Sequence, residues 1–237
     1  MQKRIIALFS LITLLSCQEN KQEKDLLLTG NIKGLKKGTL YIQKLQDTTL
    51  VPLDTIQING DSNFTSNLTI ESPEMYYLFL DRGVSNSLDN NIPFFAEKGK
   101  INIETTLDFF TADSKITGSK TQDVYEEYKK ITSKLVDQDL ALLQKKLNAY
   151  KEGKASEVET INKQQENILK RKYLFTTNFA VNHKDSEVAP YLALAEIYNI
   201  NLKYLDTIQK SLTPKIAKSM YGKKLDELIK ERRKTEK

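Results

Sequence analysis

The side chains able to do metal or nucleophilic chemistry are few: one cysteine, Cys17, and one histidine, His183, in 237 residues. That count excludes intrachain disulfides, CxxC redox pairs and cysteine or histidine zinc clusters. His183 lies in the polar stretch Asn182-His183-Lys184-Asp185-Ser186 between two predicted helices and reads as a solvated loop histidine, with Asp185 the conceivable partner. No GxSxG elbow is present, so no serine is assigned as a nucleophile. Gly118-Ser119-Lys120-Thr121 has the flavour of a phosphate loop but lacks the upstream glycine, and a helix cap accounts for it. Asp137 and Asp139, two apart on a helix, point about 200° apart and share neither an ion nor a proton. The neighbours Glu126 and Glu127 read as solvated charge. Aromatic blocks at Met75-Tyr76-Tyr77-Leu78-Phe79, Phe94-Phe95 and Phe109-Phe110 suit core strands better than a ligand platform. The sequence thus assigns no catalytic, cofactor or metal residue.

Cys17 is different, because of what precedes it. Lys3 and Arg4 form a basic start, residues 5–15 carry no charge, and Leu14-Leu15-Ser16-Cys17 resembles a bacterial lipobox. Residues 1–16 are expected to be a signal peptide, too short as a helix to span a bilayer, with Cys17 the lipidation site. Residues 17–25 would be a lipidated tether, since Gln18 to Asp25 has no apolar residue. The partner implied is the lipid bilayer. Gln18, where an aspartate would retain a lipoprotein at the inner membrane, favours an outer-membrane address facing the periplasm.

Charge follows the same division. Residues 18–118 hold 10 basic and 14 acidic side chains, net −4, and residues 119–237 hold 24 and 17, net +7. The lysines of the second half alternate with Glu and Asp, as on solvated helix faces, so nucleic acid is not an expected partner.

The elements around these residues change period once. Between Leu26 and Gly118 short β-branched and aromatic blocks predict strands at Leu26 to Ile32, Thr39 to Leu45, Leu50 to Ile58, Phe64 to Ile70, Met75 to Leu80, Ile92 to Ala96, Ile101 to Thr105 and at Ile116. After Gly118 the period is helical. Ser119 with Gln122 and Ser156 with Glu159 fit capping boxes. Val124, Tyr128, Ile131, Leu135 and Leu142 make one apolar face, and Val158, Ile161, Ile168, Leu169, Phe175 and Phe179 make another, which predicts an antiparallel helix pair. Further helices are expected from Ser186, at Thr213-Pro214 and over Lys218 to Arg233. The predicted class is α+β: an antiparallel β-sandwich or open barrel over residues 26–118, then an all-helical region over 119–237.

The order of motifs resembles a known family. Thr29-Gly30-Asn31-Ile32-Lys33-Gly34-Leu35 opens it, Gly38-Thr39-Leu40-Tyr41-Ile42 and Leu53-Asp54-Thr55 follow, and Phe94-Phe95-Ala96-Glu97-Lys98-Gly99-Lys100-Ile101 leads to Ile116-Thr117-Gly118-Ser119. This is similar to the domain of unknown function 4369, an N-terminal lipoprotein domain found ahead of TlpA- or ResA-type thioredoxin-like modules in Bacteroidota. The sequence has no CxxC, so the resemblance carries over neither disulfide reductase activity nor any functional residue. The expected function is a cell-envelope lipoprotein without catalytic activity of its own, acting as a binding or interaction module. The alternative is an accessory or remnant of a thiol-disulfide oxidoreductase system that docks a thioredoxin-like partner.

Overall fold

A computed structural model describes residues 25–83 and 88–236. The expected signal peptide, Cys17 and the expected tether as far as residue 24 lie outside the described residues. Eight strands come first: β1 (Leu26–Lys33), β2 (Lys37–Gln46), β3 (Thr49–Asn59), β4 (Asn63–Leu68), β5 (Glu74–Asp81), β6 (Asn91–Ala96), β7 (Gly99–Thr106) and β8 (Lys115–Thr117). Six helices follow: α1 (Lys120–Lys151), α2 (Ala155–Asn182), α3 (Val188–Ala195), α4 (Leu202–Ser211), α5 (Pro214–Ala217) and α6 (Met220–Thr235).

The strands form two open four-stranded sheets, ordered β4-β1-β7-β8 and β3-β2-β5-β6. Period-2 alternation sets the layers: Leu26, Leu28 and Ile32 of β1, Leu40 and Ile42 of β2, Leu78 and Leu80 of β5, and Ile101 and Ile103 of β7 all point into one core between the sheets. Most pairs are antiparallel, for example Leu40 opposite Leu80 and Leu78 opposite Ile92. The exception is β1 with β7, which run parallel with Leu26 opposite Gly99. The chain changes sheet repeatedly between these two strands, and turn signals determine only the direction of hairpin neighbours. Pro52 lies on β3, an edge strand, opposite Gln43 and beside a register shift, where its missing N–H costs no central ladder bond.

β5 and β6 are buried on both faces. Met75 and Phe95 turn away from the sandwich core and meet Tyr125, Tyr128, Phe179, Val188, Leu192 and Tyr221 from the helices. The helices are thus a third layer. A further core joins α2, α3, α4 and α6 through Ala180, Ala193, Leu205, Ile208 and Leu225.

Helix starts follow their caps. Ser119 accepts the Gln122 N–H at 3.0 Å, and Thr213 caps α5 with Pro214 as its first residue. The expected box at Ser156 and Glu159 does not form: α2 begins at Ala155, so Ser156 lies within its first turn and its carbonyl accepts from Thr160. α3 begins two residues after Ser186, and α4, capped by Asn201, is an element that the sequence reading did not separate. The buried face of α1 is also rotated from the expected one, since Tyr125 and Thr132 are buried whereas Ile131 is exposed.

Candidate functional site

The third layer leaves a cleft where the end of β2, the start of β5 and the first turn of α6 converge. Its mouth, about 450 Å³, is lined by Lys44, Glu71, Glu74, Tyr76, Met220 and Lys224 among others. A smaller hollow of about 220 Å³ adjoins it through Leu45, Glu74, Met220 and Lys224, and is floored by Tyr77, Tyr191, Leu194 and Tyr221. Polar groups therefore stand at the entrance and aromatic rings behind them, the usual make-up of a recognition site.

Local structure explains each position. Strand alternation sends Tyr76 into the sandwich core and Met75 toward the helices, and leaves Glu74 at the strand's first position, half-buried. Tyr221 is placed by the Ser219 cap of α6, where the Gly222 N–H reaches Ser219 Oγ at 3.3 Å. Its hydroxyl accepts the buried Met75 N–H at 2.9 Å, so sheet and helix share one hydrogen bond at the floor of the cleft. Tyr191 holds the opposite wall, edge-on to Tyr221 at 5.3 Å and to Phe95 at 5.1 Å.

Burial dominates the electrostatics. It raises the Glu74 carboxyl above the usual glutamate value, against the pull of Lys44 and Lys224 and with a small push from Glu71. The Tyr76 phenol is pushed up to about 12 by burial, with Glu74, Glu71 and Asp25 adding to it. Burial also raises Tyr77, Tyr191 and Tyr221. The phenols stay protonated at neutral pH. The cleft thus combines unlike charges at its rim with neutral hydroxyls inside, a surface for hydrogen bonds and ion pairs. Among the described residues no group of three or more His, Cys, Asp or Glu side chains is placed to hold a metal ion.

The residues singled out from sequence fall elsewhere. Cys17 lies outside the described residues. His183 is no free loop residue: it ends α2, stacks on Phe179 at 4.0 Å, and places Nδ1 3.0 Å from the Phe179 carbonyl. The carboxylate beside its Nε2 is that of Glu127 of α1, at 3.7 Å, rather than Asp185. Helix packing causes this, since α1 and α2 run side by side and bring Glu127 over the end of α2. Glu126 is likewise engaged, accepting from Gln122 at 2.6 Å and pairing with Lys129 at 2.7 Å. Asp139 accepts from Gln165 of α2 at 2.9 Å. The aromatic blocks are core on one face and interlayer contact on the other, except that Phe79 stacks on Tyr41 and Phe109 is exposed. The cleft itself was missed. A glutamate heading an apolar strand, Glu74 before Met75-Tyr76-Tyr77, was the available signal, but its approach to Lys224 spans 150 positions and no local pattern encodes it.

Comparison with known proteins adds one relation. No curated protein and no solved structure matches this chain. A family model described as a domain of unknown function (DUF4369) matches residues 26–125. The match runs from the first residue of β1 into α1 and so takes in both sheets, the Ser119 cap and Gln122. What this chain shares with that family of domains of unknown function is therefore the stretch 26–125, the two sheets and the start of α1.

Proposed function

We propose that the protein is a binding module of the cell envelope, without catalytic activity of its own, held to the membrane by acylated Cys17. Its recognition site is the cleft between β2, β5 and α6, and its partner is an envelope protein. The observation that carries this reading is the cleft's arrangement: Lys44, Lys224, Glu71 and Glu74 at the rim, and Tyr77, Tyr191 and Tyr221 behind them. Such a rim takes a chain segment carrying both charges, and the tyrosines supply rigid contact area at low entropic cost. Anchoring is supported by the uncharged run of residues 5–15 that ends at Leu14-Leu15-Ser16-Cys17.

One experiment addresses both halves. A photo-crosslinking residue replaces Leu45, which is exposed at the cleft's edge, and the full chain is expressed in its native envelope. Specific adducts are expected with the wild-type rim and are expected to vanish with Lys224→Glu. Palmitate-analogue labelling in the same cells is expected to depend on Cys17 and to be lost in Cys17→Ala. Adducts indifferent to Lys224→Glu would remove the cleft as the recognition site, and labelling that survives Cys17→Ala would remove the anchor.

A further inference from the structure

The outer part of α1 carries a second apolar stripe that, among the described residues, stays exposed. Val136, Leu140, Leu143, Leu147 and Tyr150 are between 41% and 60% exposed and follow one another at spacings of 4, 3, 4 and 3. The stripe is distinct from the inner face of the same helix, where Leu135, Leu142 and Ala149 turn toward α2 and Ala149 packs with Val158 and Ile161. A 4-3 alternation over two heptads is the spacing of a coiled-coil seam, which selects another helix as its occupant rather than a flat surface. A groove of about 580 Å³ runs between this stripe and α2, bordered by Val136, Leu140 and the exposed Leu169. It gives a partner helix room to set side chains between the two.

The charges beside the seam identify that helix. Asp137 and Asp139 flank its N-terminal end, whereas Lys146 and Lys151 flank its C-terminal end, with the neutral Gln144 between them. A parallel copy would set like charges against like. An antiparallel copy sets the acidic end of each helix against the basic end of the other, and it closes a two-fold pair with no free seam left over. A membrane surface rich in anionic lipid fits less well, because the two aspartates stand at its rim.

We propose that α1 is a self-association surface: two copies of this chain pair antiparallel through Val136, Leu140, Leu143, Leu147 and Tyr150, joining two α1–α2 hairpins. The seam lies on the far part of α1, away from the cleft at the start of α6, so pairing leaves both clefts open.

The test uses the chain from Gln18 onward, which contains every described residue and no cysteine. Sedimentation equilibrium is expected to show a monomer–dimer equilibrium, and Leu140→Glu with Leu147→Glu is expected to weaken it more than tenfold. Both sites are exposed, so the circular dichroism spectrum and thermal midpoint of that variant stay those of the wild-type monomer. Gln144→Cys is expected to give a covalent dimer under oxidation, because antiparallel pairing brings position 144 near its own copy and parallel pairing does not. An all-basic variant (D137K, D139K) and an all-acidic one (K146D, K151D) are each expected to be monomeric and to form a heterodimer when mixed. A wild-type chain that stays monomeric at about 1 mM, a concentration at which associations of about 4 kcal/mol register, overturns the proposal. So does a dimer insensitive to the double Leu substitution. Failure of Gln144→Cys to crosslink overturns the antiparallel register. A monomer whose stripe instead binds phosphatidylglycerol vesicles, with loss in the double variant, assigns the face to lipid and also overturns self-association.

Discussion

At the scale of single residues the interlayer contacts rest on polar atoms that must each find a partner. Gln122 is fully buried, and its Oε1 accepts the Phe95 N–H of β6 at 2.8 Å while its Nε2 donates to Glu126 at 2.6 Å. The sequence marks Gln122 as half of a capping box, and the Ser119 half is formed, but the glutamine side chain turns to the sheet instead of back to the cap. A neighbouring strand end with an unpaired donor outweighed the local return bond, because an unmet buried N–H costs about 1–3 kcal/mol. Glu187 shows the same economy with a charge at stake. It is 5% exposed and accepts from the Ser219 hydroxyl at 2.6 Å. Burial holds its carboxyl above the usual 4.5, and Ser219 and Lys215 pull it back only in part. A raised folded pKa means that the native state binds the proton more tightly than the unfolded chain does. The associated stability is therefore fully present below pH 4.5 and is lost as pH rises through the folded value. Glu187→Gln keeps an acceptor for Ser219 and removes the titration. Its Tm is expected to exceed that of the wild type at neutral pH, with the gap closing as pH falls below 4.5. A gap that is constant or that widens toward acid, followed by calorimetry across pH, would contradict the assignment.

Elements were legible where their determinants are local. All eight strands were visible because alternation and turn residues are written along the chain, and their observed bounds differ from the expected ones by at most two residues. The helix faces were less legible. Val124 and Ile131 share a helical face on paper, but Phe95 and Tyr191 pull Tyr125 inward, at 5.4 Å and 5.8 Å, and so turn the helix. α4 went unseen between two stronger signals, although Asn201 as cap and Leu205, Ile208 and Leu212 as an apolar edge were present to be read. The join between strand and helix depends on Gly118. Its φ is +93°, and a Cβ there would lie 2.1 Å from the Lys100 carbonyl oxygen, which belongs to the β7 backbone and has no room to move. Gly118→Ala is expected to lose more than about 3 kcal/mol, combining left-handed strain with a backbone clash. Gly60 has a similar φ of +96°, but nothing lies within 4 Å of its Cβ position. Gly60→Ala is thus expected to lose only the strain, about 1–2 kcal/mol. Urea midpoints of the two variants make the comparison, and equal losses would show that the clash at Gly118 is relieved.

For the whole molecule the question is whether residues 26–118 and 119–237 behave as separate domains, as the change of period suggests, or as one cooperative body. The interface between them is built like a core. Met75 and Phe95 from the second sheet share a single apolar cluster with Tyr125, Tyr128, Phe179, Val188, Leu192 and Tyr221. Two buried hydrogen bonds cross it, from Phe95 N–H to Gln122 and from Met75 N–H to Tyr221. Separating the layers would expose the helix-facing side of β5 and β6, with Met75 and Phe95, and leave two strand donors without their partners, a cost that a mobile contact between domains does not carry. The strands and helices are therefore expected to unfold together. Hydrogen exchange at rising denaturant would report on both, with amides of β5, β6, α3 and α6 reaching the same global opening free energy. Tyr221→Phe removes only the acceptor for Met75, and is expected to lower that shared free energy by about 1–3 kcal/mol in strands and helices alike. If helical protection fell while that of the strands held, the helices would be a separately folding domain, and the cleft would lie between two bodies free to move.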